Sequence, residues 1–226
     1  MIVLKQGGYM RTLLFSVLLV VLGQAHAEEA YDGELLERDG LHYKPFQAEP
    51  FSGLYRTWYE NGQLEHEATY KNGKVEGLAR GWYENGQLQL EITVKNGRRD
   101  GLFRLWYENG QLQLEAPFKN GKVEGLARVW YENGQLLSEY TYKNGKVEGL
   151  ARMWRENGQL REEMNFKDDK SEGLSRNWHE NGQLQLEATF KNDKREGLAR
   201  AWDENGQVTA EYCYSKGEQV DMSNCR

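Results

Sequence analysis

The sequence has few of the residues from which catalytic and metal centres are usually built. Only four histidines, two cysteines and three prolines occur among 226 residues, and no two histidines have metal-ligand spacing. There is no glycine-rich phosphate loop, no Gly-x-Ser-x-Gly elbow and no zinc pattern. Carboxylates are plentiful, but a catalytic carboxylate needs burial that a thin fold rarely supplies. The sequence therefore predicts a protein that is not an enzyme and that binds no metal and no cofactor.

Apolar residues are also scarce, at 38%, and the mean hydropathy is −0.85. Such a chain can build a thin core, not a thick one. The formal net charge is −6 and becomes −8 without residues 1–27, which carry two cations and no anions. This charge argues against nucleic acid as a partner and makes a membrane surface an unfavourable one.

Long apolar runs are absent except near the N-terminus. Lys5 and Arg11 precede an apolar run over residues 13–22, and Ala25-His26-Ala27 places small residues at the positions that a signal peptidase reads. This layout predicts a secretory signal peptide over residues 1–27 with cleavage after Ala27. The alternative is a membrane anchor, but the run is shorter than the ~20 residues that a spanning helix needs. We therefore expect an exported protein, periplasmic or extracellular.

The two cysteines, Cys213 and Cys225, lie close to the C-terminus. In an exported protein the simplest interpretation is that they bond to each other and close a short loop. Two free thiols or a metal pair is the alternative, and no histidine lies near them to complete a metal site.

What the sequence does have is repetition. All seven tryptophans fall on one 24-residue period, at Trp58, Trp82, Trp106, Trp130, Trp154, Trp178 and Trp202. A glycine precedes each tryptophan by five residues and an arginine by two, while Asn-Gly follows at three and four and a glutamate at nine. A fixed period of this length is the signature of a repeat architecture.

Each repeat is interpreted as two strands. Asn85-Gly86 separates the strand ending near Trp82 from the next strand and is a strong hairpin signal, because both residues tolerate positive φ. A second turn of the type Lys95-Asn96-Gly97-Arg98 leads into the following repeat. The predicted fold is all-β: an elongated antiparallel meander of about seven 24-residue β-hairpin repeats that forms a twisted single-layer sheet.

Two registers are compatible with the first turn. A two-residue turn at Asn61-Gly62 places Arg56 opposite Glu67, and it puts Leu64 on the face opposite Trp58. A three-residue turn with a glycine bulge instead places Trp58 opposite Leu64. We favour the first register, because the same arithmetic pairs an arginine with a glutamate in all seven repeats.

Two regions depart from the repeat. Pro117 lies within a second strand and cannot donate to a ladder, so a local break or bulge is expected there. The segment before Gly53 lacks tryptophan and contains Pro45 and Pro50, as expected of a cap over an open sheet edge. The predicted organisation is a signal peptide over 1–27, a cap over 28–52, seven repeats over 53–220 and a tail over 221–226.

The repeated unit Gly-Leu-Ala-Arg-x-Trp-Tyr-Glu-Asn-Gly-Gln-Leu, with Lys-Asn-Gly-Lys-x-Glu-Gly, resembles the bacterial variant of the MORN repeat. The lead-in over residues 37–55 resembles the entry segment of YwqK-type antitoxins, and the resemblance covers roughly residues 34–220. It implies an elongated antiparallel sheet that serves as an interaction platform. It also implies neutralisation of a partner by binding, as in a toxin–antitoxin module, although such an antitoxin is expected in the cytoplasm.

The aromatic columns are the candidate binding surface, since Trp, Tyr and Arg are enriched at energetic centres of interfaces. The candidate partner-binding residues are the seven tryptophans together with Tyr59, Tyr83, Tyr107 and Tyr131. The alternative is that the tryptophans cover the sheet and bury surface between repeats. The predicted function is a protein–protein interaction scaffold. Two alternatives remain: carbohydrate or cell-wall binding through the aromatic strip, and, less compatible with the charge, anionic lipid.

Overall fold

The computed structural model describes residues 30–225. The predicted signal peptide over 1–27 and its cleavage site after Ala27 lie outside the described residues. Within the described part the chain forms short strands joined by tight turns, ending in the 3-10 turn Met222–Cys225. No helix in this part is long and apolar enough to cross a membrane.

The strands, in chain order, are β1 Leu36–Arg38, β2 Leu41–Tyr43, β3 Gly53–Trp58, β4 Leu64–Lys71, β5 Lys74–Trp82, β6 Leu88–Lys95, β7 Arg98–Trp106, β8 Leu112–Lys119, β9 Lys122–Val123, β10 Gly125–Trp130, β11 Leu136–Lys143, β12 Lys146–Val147, β13 Gly149–Trp154, β14 Leu160–Lys167, β15 Lys170–Trp178, β16 Leu184–Lys191, β17 Lys194–Arg195, β18 Gly197–Trp202, β19 Val208–Ser215 and β20 Glu218–Val220.

Strands β3 to β20 form one open antiparallel sheet of 18 strands, in which neighbours in sequence are neighbours in space. β1 and β2 form a separate two-stranded hairpin. Three strand pairs, β9–β10, β12–β13 and β17–β18, are single strands interrupted at one residue, respectively Glu124, Glu148 and Glu196. The predicted fold class, a meander of seven β-hairpin repeats, is confirmed.

The first turn of each repeat contains three residues, and the predicted two-residue turn is wrong. In the first repeat the Tyr59 N–H donates to the Gln63 carbonyl at 2.9 Å, and Gly62 adopts a φ of 83°. Trp58 therefore pairs with Leu64, while Thr57 pairs with His66, which leaves Glu65 as an extra residue. This bulge restores the predicted pairing of Arg56 with Glu67, but Leu64 lies on the same face as Trp58.

The second turn is the one with two residues. Asn72 and Gly73 have φ values of 50° and 76°, and Lys71 pairs with Lys74 across the turn. Asp169 occupies the glycine position of a later repeat with a φ of 68°, a conformation that is costly for a residue with a side chain. Its carboxylate accepts a hydrogen bond from the Val147 N–H at 2.7 Å, which helps to offset that cost.

A break or a bulge is expected at Pro117; its own strand is not broken, and the bulge lies in the neighbouring strand. β8 is continuous from Leu112 to Lys119. The irregularity lies in the next strand, where the Glu124 N–H donates to the Pro117 carbonyl at 2.9 Å. Equivalent interruptions occur opposite Thr141 and Thr189, so this bulge belongs to the repeat. Proline is tolerated because its missing N–H falls where the neighbouring strand is already irregular.

The thin core lies on one face of the sheet, which we call the alanine face. It is formed by the column of Tyr55 on the first strands and the column of Ala68 on the second strands. Paired positions combine a large with a small side chain, as in Tyr55 with Ala68 and Phe103 with Ala116. Four buried alanines belong to these columns: Ala116, Ala151, Ala188 and Ala199. Complementary volumes give close packing although no second layer formed by residues 30–225 covers the face.

Side chains at both edges fasten each repeat to the next. At the first turns, the Tyr59 hydroxyl donates to the Trp82 carbonyl at 2.7 Å, and the Asn61 amide donates to the Glu84 carbonyl at 3.0 Å. At the second turns, the Glu76 carboxylate accepts a hydrogen bond from the Asn96 N–H at 2.8 Å. Because the bonds recur every 24 residues, they hold the stack in one register.

The segment before β3 contacts the first edge of the sheet. The Tyr31 N–H donates to the Leu54 carbonyl at 2.8 Å, and the Arg56 N–H donates to the Tyr31 carbonyl at 3.0 Å. Phe51 is 5% exposed and packs between Tyr31 and Tyr70, with both ring-centroid distances at 5.6 Å. This segment thereby occupies backbone groups that an edge strand would otherwise leave open to other chains.

At the other end Cys213 and Cys225 form a disulfide, so the predicted pairing is confirmed. Cys213 is 1% exposed and lies opposite Val220 of β20. The bond fixes the last strand and the 3-10 turn against β19.

The repeat-to-repeat hydrogen bonds can be tested by substituting Tyr107→Phe, which removes the donor to the Trp130 carbonyl at 2.8 Å. We expect the free energy of unfolding to fall by about 1–2 kcal/mol, because a half-buried carbonyl loses its partner. Urea denaturation measures the change. The control is Tyr142→Phe, whose hydroxyl makes no hydrogen bond within residues 30–225; equal losses in both variants would contradict the assignment.

The disulfide can be tested with the double variant Cys213→Ser/Cys225→Ser. Closing a loop of this size stabilises by about 3 kcal/mol in the chain-entropy description. Terminal repeats contact only one neighbour, so the loss should appear mainly in β18, β19 and β20. Hydrogen exchange should accelerate there and remain unchanged in β3 and β4. Uniform acceleration along the whole chain would show that the bond has no local role.

Candidate functional site

The face opposite the alanine face is the candidate site, and we call it the tryptophan face. Strand alternation places Leu54, Arg56 and Trp58, with their equivalents, on this side. Trp58 is 42% exposed and the other six tryptophans are half-buried. Exposed Leu78, Leu102 and Val208 belong to the same face. The tryptophan face therefore carries apolar surface that residues 30–225 leave uncovered.

The position of each tryptophan follows from the turn beside it. Trp58 is the last residue of β3 and lies directly opposite Leu64, the first residue of β4. The bulge after Leu64 turns that side chain to the tryptophan's side of the sheet. Each indole therefore lies beside a leucine, or beside a valine in the case of Val208.

The predicted Arg–Glu pairs are confirmed in all seven repeats. The distances between side-chain nitrogen and carboxylate oxygen run from 2.6 Å in the first repeat to 3.5 Å in the fourth. The pairs are Arg56–Glu67, Arg80–Glu91, Arg104–Glu115, Arg128–Glu139, Arg152–Glu163, Arg176–Glu187 and Arg200–Glu211.

Some arginines also reach the glutamate of the preceding repeat. Arg104 lies 3.4 Å from Glu91, and Arg152 lies 3.2 Å from Glu139, so the pairs join into a ladder. Hydrogen bonding to Glu115 raises the pKa of Arg104 above its ordinary value. The Arg104 guanidinium therefore stays charged, and the glutamates of the ladder are paired with arginines.

The four tyrosines of the candidate set have a second role at the first turns. Their hydroxyls donate to the tryptophan carbonyl of the following repeat at 2.7–3.0 Å. In the next two repeats Arg155 and His179 take the tyrosine's place and contact the Trp178 and Trp202 carbonyls, each at 2.8 Å. The hydroxyls are therefore engaged within the sheet. Because Tyr59 follows Trp58 by one residue in the ladder, alternation places the tyrosines on the side opposite the tryptophans, so the two groups do not form one strip.

The column of Leu54, four residues before each tryptophan, was not part of the candidate set. Its signal is present in the sequence, since the residue after each repeat's first glycine is always leucine. Leucine alone does not distinguish an exposed strand position from a buried one. Among residues 30–225 there is no cluster of three or more His, Cys, Asp or Glu that could hold a metal ion.

The repeats match the family model described as the MORN repeat variant, over residues 51–72, 75–96, 99–120, 123–144, 147–168, 171–192 and 195–216. These seven matches cover more than half of the chain, so the protein belongs to the MORN repeat variant family. Repeats of this family are a non-catalytic type and are commonly protein-binding modules. No curated protein matches the chain.

The charge ladder can be tested with Arg104→Gln, which removes contacts to two glutamates, and Arg200→Gln, which removes a contact to one. Both arginines are about one-third exposed or more. We therefore expect the free energy of unfolding to fall only modestly, by about 1 kcal/mol in Arg104→Gln and by about 0.5 kcal/mol in Arg200→Gln. Thermal unfolding at low salt measures them. In 1 M salt the two losses should shrink, because exposed charges are screened. A salt-independent loss would indicate packing and not charge.

Proposed function

We propose that this protein has no catalytic activity and binds a partner protein along the tryptophan face. The observation that carries the proposal is the division of the sheet into two unlike faces. Buried alanines lie on one face, whereas Trp58, Leu78 and Leu102 remain exposed on the other. Contiguous exposed apolar side chains among charged ones are typical of protein interaction sites.

The composition of the tryptophan face suits a protein partner. Tryptophan and arginine are enriched at the centres of interfaces, and leucine adds apolar area between them. The seven repeats contribute two strands each, and at ~4.8 Å per strand they give a face roughly 65 Å long. A standard interface buries about 800 Å² on each partner, so part of this face is sufficient.

We further propose that the protein acts outside the cytoplasm. The apolar run before Ala27 supports export, and the Cys213–Cys225 disulfide is a bond that persists in oxidising compartments. The resemblance to YwqK-type antitoxins supports binding that neutralises the partner. In an exported protein that partner is an envelope or extracellular protein.

The test is capture of proteins from an envelope extract, using the double variant Leu78→Glu/Leu102→Glu. Both leucines are 39% exposed, so the substitutions add charge to the surface with little loss of packing. The matched control is Leu36→Glu, because Leu36 is also 39% exposed but lies in the β1–β2 hairpin. Wild type and L36E should crosslink the same protein. The amount of that protein crosslinked by the double variant should be at least about tenfold smaller.

This proposal would be overturned if the double variant still bound the partner or if the wild type recovered no protein. It would also be overturned if peptidoglycan fragments changed the tryptophan fluorescence saturably. The last result would support the alternative function, in which the tryptophans stack on cell-wall sugars.

A further inference from the structure

The two long edges of the sheet carry charges of opposite sign. At the first turns an exposed glutamate recurs in every repeat, at Glu60, Glu84, Glu108, Glu132, Glu156, Glu180 and Glu204. At six of the seven second turns two cations flank the Asn-Gly or equivalent pair, as Lys71 and Lys74 do, whereas Ser215 and Glu218 flank the last one. Soluble surfaces usually intersperse the two signs, so this separation is unusual.

The cations at the second turns face each other in pairs. Lys71 pairs with Lys74, and the same register holds for Lys95–Arg98, Lys119–Lys122, Lys143–Lys146, Lys167–Lys170 and Lys191–Lys194. Like charges directly across two strands destabilise a hairpin. All twelve side chains are exposed, so the fold gains no core packing from them.

Positive charge is concentrated in four of these turns. Residues 71–76, 95–100, 119–124 and 143–148 contain nine cations and four carboxylates, an excess of five positive charges. We call these four turns the basic edge. The next two turns, residues 167–172 and 191–196, contain five cations and five carboxylates, because Asp168, Asp169 and Asp193 have entered them.

The basic edge acts locally although the protein is acidic overall. Strands of eight or nine residues make the sheet roughly 26–30 Å wide at ~3.3 Å per residue. Charges are screened over about 8 Å at physiological ionic strength, so the glutamates of the first turns are not felt at the second turns. A polyanion that approaches the basic edge therefore meets mainly lysine and arginine.

Shallow clefts lie between consecutive turns of the basic edge. One, of about 460 Å³, is lined by Lys71, Asn72, Lys74, Glu76, Asn96 and Gly97. A neighbouring cleft of about 690 Å³ combines Lys74, Arg98 and Arg99 with apolar Val75 and Val94. Asparagine amides can pair with hydroxyl groups, lysines with carboxylates, and apolar side chains with the face of a sugar ring.

The ligand class follows from this combination and from what the four turns lack. The four turns themselves contain no aromatic residue, and His42 is the one aromatic ring that lines the second cleft. The edge therefore has no row of the aromatic platforms on which the bases of single-stranded nucleic acids stack. The cation pairs recur every two strands, roughly 10 Å apart, along one edge of the sheet. We propose that the basic edge binds a linear acidic polysaccharide, with carboxylates on the cation pairs and hydroxyls on the asparagines.

The proposal can be tested by titrating the protein with polygalacturonate, a carboxylated polysaccharide, in a calorimeter. Wild type should bind with an affinity that falls steeply as salt rises. The variant Lys74→Gln/Arg98→Gln/Lys122→Gln should bind at least about tenfold more weakly with a smaller salt dependence. Relief of like-charge pairs should leave this variant folded, which circular dichroism checks.

The matched control is Lys167→Gln/Lys170→Gln/Lys194→Gln, which removes the same three charges from the neutral turns. It should bind polygalacturonate within about twofold of wild type, as three exposed charges elsewhere contribute little. The proposal fails if both triple variants weaken equally, if wild type does not bind, or if uncharged dextran binds as well. It also fails if oligothymidylate or phosphatidylglycerol vesicles bind more tightly. Capture through the tryptophan face does not involve these residues, so either proposal can fail without the other.

Discussion

The hydrogen bonds between successive repeats are the constraint on which the rest of this structure depends. A single-layer sheet has no second layer to bury its faces, so each hairpin can be stabilised only by its neighbours along the ribbon. The Tyr59 hydroxyl on the Trp82 carbonyl and the Glu76 carboxylate on the Asn96 N–H bind adjacent repeats at opposite edges. With both edges fixed, the strands between them keep one register, and every side-chain column continues from repeat to repeat.

Continuous columns give the different surfaces of the sheet different chemical properties. The alanine face varies from repeat to repeat, with Ile92, Ala116 and Tyr140 at one position, because its only requirement is to fill space against the paired strand. The tryptophan face and the first turns are far more uniform, whereas the second turns lose their excess positive charge towards the C-terminus. Identical residues at these positions do not disturb packing, and they create a surface whose chemistry repeats about every 10 Å.

The sequence was sufficient for the period, the hairpins and the Arg–Glu pairing, because each depends on which residues recur and not on detailed geometry. The turn was not predictable in the same way. The pairing of Arg56 with Glu67 results from either of two turns: three residues followed by a bulge, or two residues without one. The alternation of residues along the strands therefore could not distinguish these turns. Only the side of Leu64 distinguishes the two, and a leucine suits either face. The tyrosine hydroxyls were equally hidden, since their acceptor is a backbone carbonyl 23 residues away.

Repetition also affects how strongly such a surface can bind. A single exposed leucine or lysine contributes little, but identical groups on a rigid, evenly spaced lattice can engage a partner at several points at once. The partner must then carry its own complementary groups at a matching spacing, or the additional contacts are lost. A rigid ribbon therefore selects for the length and regularity of its partner as well as for its chemistry. The edge bonds that hold the repeats in register are, on this view, also what determines specificity.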